Sequence, residues 1–169
     1  MIPRGGKMAK TFAVAVLIAT IFCFASLSLA QADETFFVEG KVYCDTCRVQ
    51  FETKISEPLA DAKVRLECRK RDENGDLTYS IDGVTNKNGI YRLPVEGDHE
   101  EEICEVKAIK STRSDCNDPM ARYEKARITL TNKNGLSSDA RYANSLGFMK
   151  KEALPNCIDV LNELGFNPL

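Results

Sequence analysis

The chain has 169 residues, 23 of them basic and 25 acidic, a formal charge of −2, and 43% hydrophobic residues. That length suits one domain with its own core, and no internal repeat or low-complexity linker divides it. The mildly acidic balance argues against nucleic acid or an anionic membrane as partner.

Residues 1–32 read as a secretory signal. Arg4, Lys7 and Lys10 give a positive start, and an uncharged apolar stretch runs from Phe12 to Ala30. Ala30-Gln31-Ala32 then offers a small-x-small cleavage site before Asp33. The stretch is long enough to cross a bilayer, so an uncleaved anchor is the rival reading. Ser26, Ser28 and the polar residues after Ala32 favour cleavage. Cleavage takes the charge of residues 33–169 from −2 to −5, because three basic residues leave and no acidic one does. It also removes Cys23, one of seven cysteines, and leaves Cys44, Cys47, Cys68, Cys104, Cys116 and Cys157. An even set in an exported domain reads as a disulfide framework, where the same Cys-x-x-Cys in a cytosolic chain would suggest zinc or redox chemistry.

The remainder reads as short strands broken by turns. Phe36–Tyr43 alternates through Phe36, Val38, Gly40 and Val42, and Arg48–Ile55 through Val49, Phe51, Thr53 and Ile55. After Pro58-Leu59, Ala62–Arg69 resumes the alternation through Val64 and Leu66, which puts Cys68 on the buried face. Asn74-Gly75, Asn88-Gly89 and Asn134-Gly135 signal hairpin turns, with flanking strands Leu77–Thr85, Ile90–Val95, Ile103–Lys110 and Ala126–Thr131. About seven strands at this spacing predict an all-β sandwich or barrel. Asp115–Met120 reads as a loop held by Cys116. Asn156–Leu164 reads as a short helix with Leu154, Ile158 and Leu161 at helical spacing and Gly165 as its stop.

The segment Glu39-Gly40-Lys41-Val42-Tyr43-Cys44-Asp45-Thr46-Cys47-Arg48 is specific enough to name a relationship. It resembles the signature of the olive-pollen-allergen (Ole e 1-like) family of secreted plant proteins. Pro58–Val64, Asn88–Tyr91, Ala126–Thr131, Ala140–Met149 and Leu154–Cys157 are similar too, so the resemblance spans Phe36 to Leu169. It implies a disulfide-stapled, transthyretin-like β domain with Cys44 joined to Cys116, Cys47 to Cys157 and Cys68 to Cys104. The residues alone leave the connectivity of six cysteines open. Many members carry an N-glycan, whereas this chain has no Asn-x-Ser/Thr acceptor. With that pairing, loss of Cys47 or Cys157 is expected to free residues 140–169 and leave the sheet folded.

Catalytic and metal-binding readings find little support in the residues. Zinc at Cys44/Cys47 would need a second ligand pair, and a redox site would need an exposed low-pKa thiolate. Asp72-Glu73-Asn74-Gly75-Asp76 opens like an EF-hand loop but has Leu77 and Gly83 where Gly and a bidentate Glu are required, so a hairpin turn explains it better. His99 is the single histidine, in the acidic run Asp98–Glu102 and with no nucleophile motif nearby, and reads as an exposed loop residue. The basic residues Arg65, Arg69-Lys70-Arg71, Lys107, Lys110 and Arg113 could form one positive face toward acidic polysaccharide. Alternatively they are solvated strand edges that discourage aggregation, the reading favoured by the negative net charge. Phe36, Phe37, Tyr43 and Phe51 read as core and strand-pair residues.

These readings expect no catalytic residue, no cofactor and no metal. The expectation is a secreted, non-enzymatic protein of the plant extracellular space or cell wall, acting in pollen or tissue growth. Its partner would be an extracellular protein such as a receptor ectodomain, or cell-wall polysaccharide, with Asn117–Tyr123 and Asn132–Tyr142 as candidate surfaces. A small-ligand carrier, which needs a large apolar cavity, is the alternative. A secreted hydrolase with converging carboxylates or His99 is the third.

Overall fold

The computed structural model describes residues 35–131 and 133–166, so the expected signal, residues 1–32, lies outside the described residues. The elements in chain order are β1 (Thr35–Asp45), β2 (Glu57–Pro58), β3 (Lys63–Lys70), β4 (Leu77–Val84), β5 (Ile90–Glu96), β6 (Glu102–Lys110), β7 (Asp118–Pro119), β8 (Lys125–Ile128), β9 (Ala140–Tyr142), β10 (Leu146–Met149) and α1 (Cys157–Glu163). They form two sheets in a sandwich-like arrangement, and no barrel closes. In one sheet β4, β3, β6 and β8 lie side by side, all antiparallel. The other is organised around β1, whose first half pairs with β5 and β9 and whose last residues pair with β2 and β10.

Alternation in the sequence explains why these strands form and what lies between them. Phe36, Val38 and Val42 of β1, Val64, Leu66 and Cys68 of β3, Tyr91, Leu93 and Val95 of β5, and Cys104 and Val106 of β6 all enter one buried cluster. β3 and β5 bury every second residue and leave the others partly or fully exposed, while β1 alternates only in its first half and is buried throughout from Val42 to Asp45. Two glycines make room for core side chains, one within a sheet and one between the sheets. A Cβ on Gly40 would lie 2.2 Å from Tyr91 Oη, directly across the β1–β5 register, and one on Gly83 would lie 2.3 Å from Leu93 Cδ2.

Three expectations need correction. Arg48–Ile55 is not a strand. Asp45 is fully buried, and its carboxylate accepts the backbone N–H groups of Cys47 at 2.9 Å and Gln50 at 2.7 Å. Arg48 and Gln50 are held at φ +58°, which no strand allows. Local side-chain acceptors have out-competed the apolar alternation. Of the three Asn-Gly turns only Asn74-Gly75 closes a hairpin, between β3 and β4. Asn88-Gly89 carries the chain from β4 in one sheet to β5 in the other. Its turn is closed by Asn86 Oδ1, which accepts the N–H groups of Asn88 and Ile90, and by Gly89 O, which accepts from Val42 N–H. Asn134-Gly135 likewise lies between β8 and β9, which belong to different sheets. Finally, α1 buries Cys157 and Val160, while Ile158 is 59% exposed. The tether through Cys157 selects the helix face, so Leu154, Ile158 and Leu161 do not form it.

The close approach at Gly40 yields a direct expectation. Gly40→Ala drives a methyl group into a fully buried tyrosine ring and should cost about 1–3 kcal/mol. Thermal unfolding should show a midpoint lower by several degrees; an unchanged midpoint would mean the β1–β5 interface is looser than described.

Candidate functional site

The end of the sandwich beyond β1 is assembled by disulfides. Cys44 bonds Cys116, Cys47 bonds Cys157, and Cys68 bonds Cys104, with sequence separations of 72, 110 and 36. The third joins directly opposed residues of β3 and β6. The first two start from one short segment and reach in different directions, one to the loop before β7 and the other to α1. All six cysteines are buried. Sulfur already bonded to sulfur offers no thiolate, so the close grouping of Cys68, Cys104 and Glu102 supplies a metal with one carboxylate only.

Polar contacts finish the fastening. Arg48 donates to Asp118 at 2.7 Å and to the carbonyls of Lys150 and Lys151. Asp115 accepts from Arg113 at 2.7 Å and Lys150 at 2.6 Å, and Arg113 also meets Glu57. These cations hold the Asp115 carboxyl well below the usual carboxylate range, the Arg113 hydrogen bond contributing most, and the carboxylates hold Arg113 above its ordinary value. Sequence reading missed both Asp45 and Asp115 as organisers. The available signal was a carboxylate placed immediately beside a half-cystine in each case.

The two expected surfaces are presented differently. In Asn117–Tyr123, Met120 is fully buried and Asp118–Pro119 pairs with β10, while Asn117, Pro119, Ala121 and Arg122 are exposed. In the second segment Asn132 lies outside the described residues, and residues 133–142 form a turn leading into β9. Its base is locked by Arg141. That side chain is buried, donates to the carbonyls of Thr131 and Ser138, and stacks over Phe36 at 5.3 Å. Above this base Leu136 is 56% exposed and Tyr142 75% exposed, beside an open groove of about 240 Å³ that Asn134, Arg127 and Thr129 also line. A large, exposed aromatic next to a concavity is the common form of a protein-recognition anchor.

Residues considered for chemistry are otherwise engaged. His99 is not an exposed loop residue: its side chain is only 10% exposed, with Nδ1 2.8 Å from Glu102, Nε2 3.1 Å from the Glu96 carbonyl and its ring packed at a tilt against Tyr79, centroids 4.7 Å apart. Asp72 accepts the Gly75 N–H at 3.0 Å, within the β3–β4 turn. Arg65 pairs with Asp82, Arg69 and Lys107 with Glu67, and Lys70 with Asp76. Phe36 and Tyr43 are core residues, Phe37 packs under Arg92, and Phe51 meets Phe166 with ring centroids 5.7 Å apart. The larger concavities, of about 410 and 430 Å³, are open at the surface of the four-stranded sheet.

The tether through Cys47 can be tested by removing it. Residues 140–142 and 146–149 form strands paired with β1, so the stretch freed by breaking Cys47–Cys157 is shorter than the sequence suggests and begins beyond Met149. A seven-residue helix is unstable alone. Cys47→Ser or Cys157→Ser should therefore make residues 154–166 cleavable by limited proteolysis while β1, β3 and β6 keep their amide-exchange protection. Wild-type resistance at 154–166 in both variants would refute this.

Comparison with known proteins gives one consistent answer. The family model described as "Pollen protein Ole e 1 like" matches residues 34–165. The chain is 53% identical to an Olee1-like protein of Betula pendula, over 95% of this chain and 97% of that one. It is 49% identical to the anther-specific protein LAT52 of Solanum lycopersicum, over 91% and 96% respectively. Among solved structures, the major plantain pollen allergen Pla l 1 superposes with a TM-score of 0.63 at 35% identity, covering 73% of this chain and 99% of that one. The chain belongs to the Ole e 1-like family of pollen proteins.

Proposed function

We propose that this chain is exported, loses residues 1–32, and acts as residues 33–169 in the extracellular space around pollen. There it binds a protein partner such as a receptor ectodomain and carries out no reaction on it. Three disulfides support the export reading, since such bonds persist in oxidising compartments. Relatives described as pollen allergens and an anther-specific protein support the pollen setting. The observation that carries the binding reading is the exposed Tyr142–Leu136 pair standing on a base locked by buried Arg141. A backbone held in this way lowers the ordering cost when the exposed side chains it carries dock.

The carrier alternative requires an enclosed apolar cavity. The space between the sheets instead holds Phe36, Leu66, Tyr91, Leu93 and Val106 in mutual contact, which favours recognition at the surface.

The test is direct binding of the oxidised mature protein to purified ectodomains of pollen-tube receptors. Tyr142→Ala should lower affinity for a captured ectodomain by about tenfold or more. Its melting temperature should stay unchanged, because the ring is mostly in solvent. Absence of any ectodomain binding, or equal binding by Tyr142→Ala, would defeat the proposal.

A further inference from the structure

The outer face of the β4–β3–β6–β8 sheet carries a charge opposite to that of the chain as a whole. Strand register shows which side chains share it. Val64, Leu66 and Cys68 of β3 point into the core, so Lys63, Arg65, Glu67 and Arg69 point out. Across β3, Arg65 faces Asp82 on one side and Lys107 on the other, and Lys107 in turn faces Lys125 of β8. Lys125, Lys107 and Arg65 therefore form one cationic row across three adjacent strands, repeating at the inter-strand spacing of about 4.8 Å. In the next row Lys63 faces Lys110, and at the far end Arg127 faces Glu105.

The face thus holds seven cations and four carboxylates (Glu67, Asp82, Glu105 and, at its edge, Glu124), a net charge of +3. Residues 33–169 together stand at −5, so the rest of that segment carries −8. Ion pairs account for Arg65, Arg69, Lys107 and Lys125, whereas Lys63, Lys110 and Arg127 have no carboxylate within ion-pair distance among the described residues. Open grooves of about 410 and 320 Å³ meet at exposed Ile109, the first lined by Lys63, Arg65 and Asp82 and the second by Lys107, Lys125 and Glu124. Such a separation of charge orients the molecule, cationic face first, toward a polyanion.

We infer that this face binds a linear acidic polysaccharide bearing a carboxylate on each repeating sugar. The inference rests on the extracellular reading above and adds a second, separate contact surface to it. Cations repeating in rows across a sheet suit an extended polymer with evenly spaced charge. A folded protein partner is the poorer match, because the outward positions include no aromatic anchor, and the strongly exposed apolar side chains, Leu77, Val84 and Ile109, are dispersed among the charges and do not form one patch. The lack of an outward aromatic also argues against neutral sugars, which are commonly held by stacking.

Polygalacturonate is the probe, with its fully methyl-esterified form as the uncharged counterpart and polyglutamate as an acidic polypeptide. Calorimetric titration of the oxidised mature protein at low ionic strength should show binding to polygalacturonate, loss of that binding in about 0.5 M salt, and none to the ester. Lys63→Glu/Lys110→Glu should weaken it by about tenfold or more. Lys87→Glu/Lys151→Glu, the same charge change at exposed positions off this face, should weaken it by less than about threefold. Both variants should melt as wild type does. Equal binding to the ester, equal or tighter binding to polyglutamate, or equal loss in the two variants would overturn the inference. Polygalacturonate binding without any ectodomain binding would count against the receptor reading alone and uphold this one.

Discussion

Two half-cystines at the end of one strand organise this molecule. Strand β1 is paired along its whole length, and at its last turn Cys44 and Cys47 bond partners 72 and 110 residues away. In the chain-entropy account each such crosslink is worth roughly 4–5 kcal/mol through restriction of the unfolded chain, without simple additivity. That is comparable to the whole net stability of many domains this size. Consequences spread from there: the chain after Cys47 is bent into a loop, the two-residue β7 is held against β10, and a seven-residue helix with two buried residues stays docked.

A scaffold fixed this way suits recognition. Elements too short to be stable alone can display side chains at the surface because crosslinks and buried ion-dipole contacts supply the order. Arg141 does at β9 what Asp45 does after β1, satisfying backbone groups from a buried charged side chain. The result is an exposed aromatic at Tyr142 and, separately, one broad cationic sheet face. A protein of net negative charge with a positive face has two different electrostatic approaches to its surroundings.

Much of this was legible in the sequence, for a simple reason. Strands with one dry face must alternate, and β3, β5 and the first half of β1 do so at Val64/Leu66, Tyr91/Leu93/Val95 and Phe36/Val38, whereas β1 from Val42 to Asp45 is buried on both faces. Arg48–Ile55 shows how alternation misleads: Val49, Phe51 and Ile55 keep the period, but Asp45 and the Cys47 tether impose a different backbone. Strands β9 and β10, of three and four residues, carry too few residues for any period to appear; they exist because β1 offers them a parallel partner. His99 failed for a related reason. Its neighbours in sequence are acidic and polar, while the ring that covers it, Tyr79, comes from β4. The cationic face could be suspected residue by residue, yet only the long-range register puts Lys63 opposite Lys110 and Arg65 opposite Lys107.

The most direct test is disulfide mapping of the native, unreduced protein after cleavage on the N-terminal side of aspartate, which severs the chain between Cys44 and Cys47. The account predicts three linked peptide pairs, joining Cys44 with Cys116, Cys47 with Cys157 and Cys68 with Cys104, and no alkylatable thiol among these six. A free thiol at any of them, or Cys44 and Cys47 joined to each other, would contradict it.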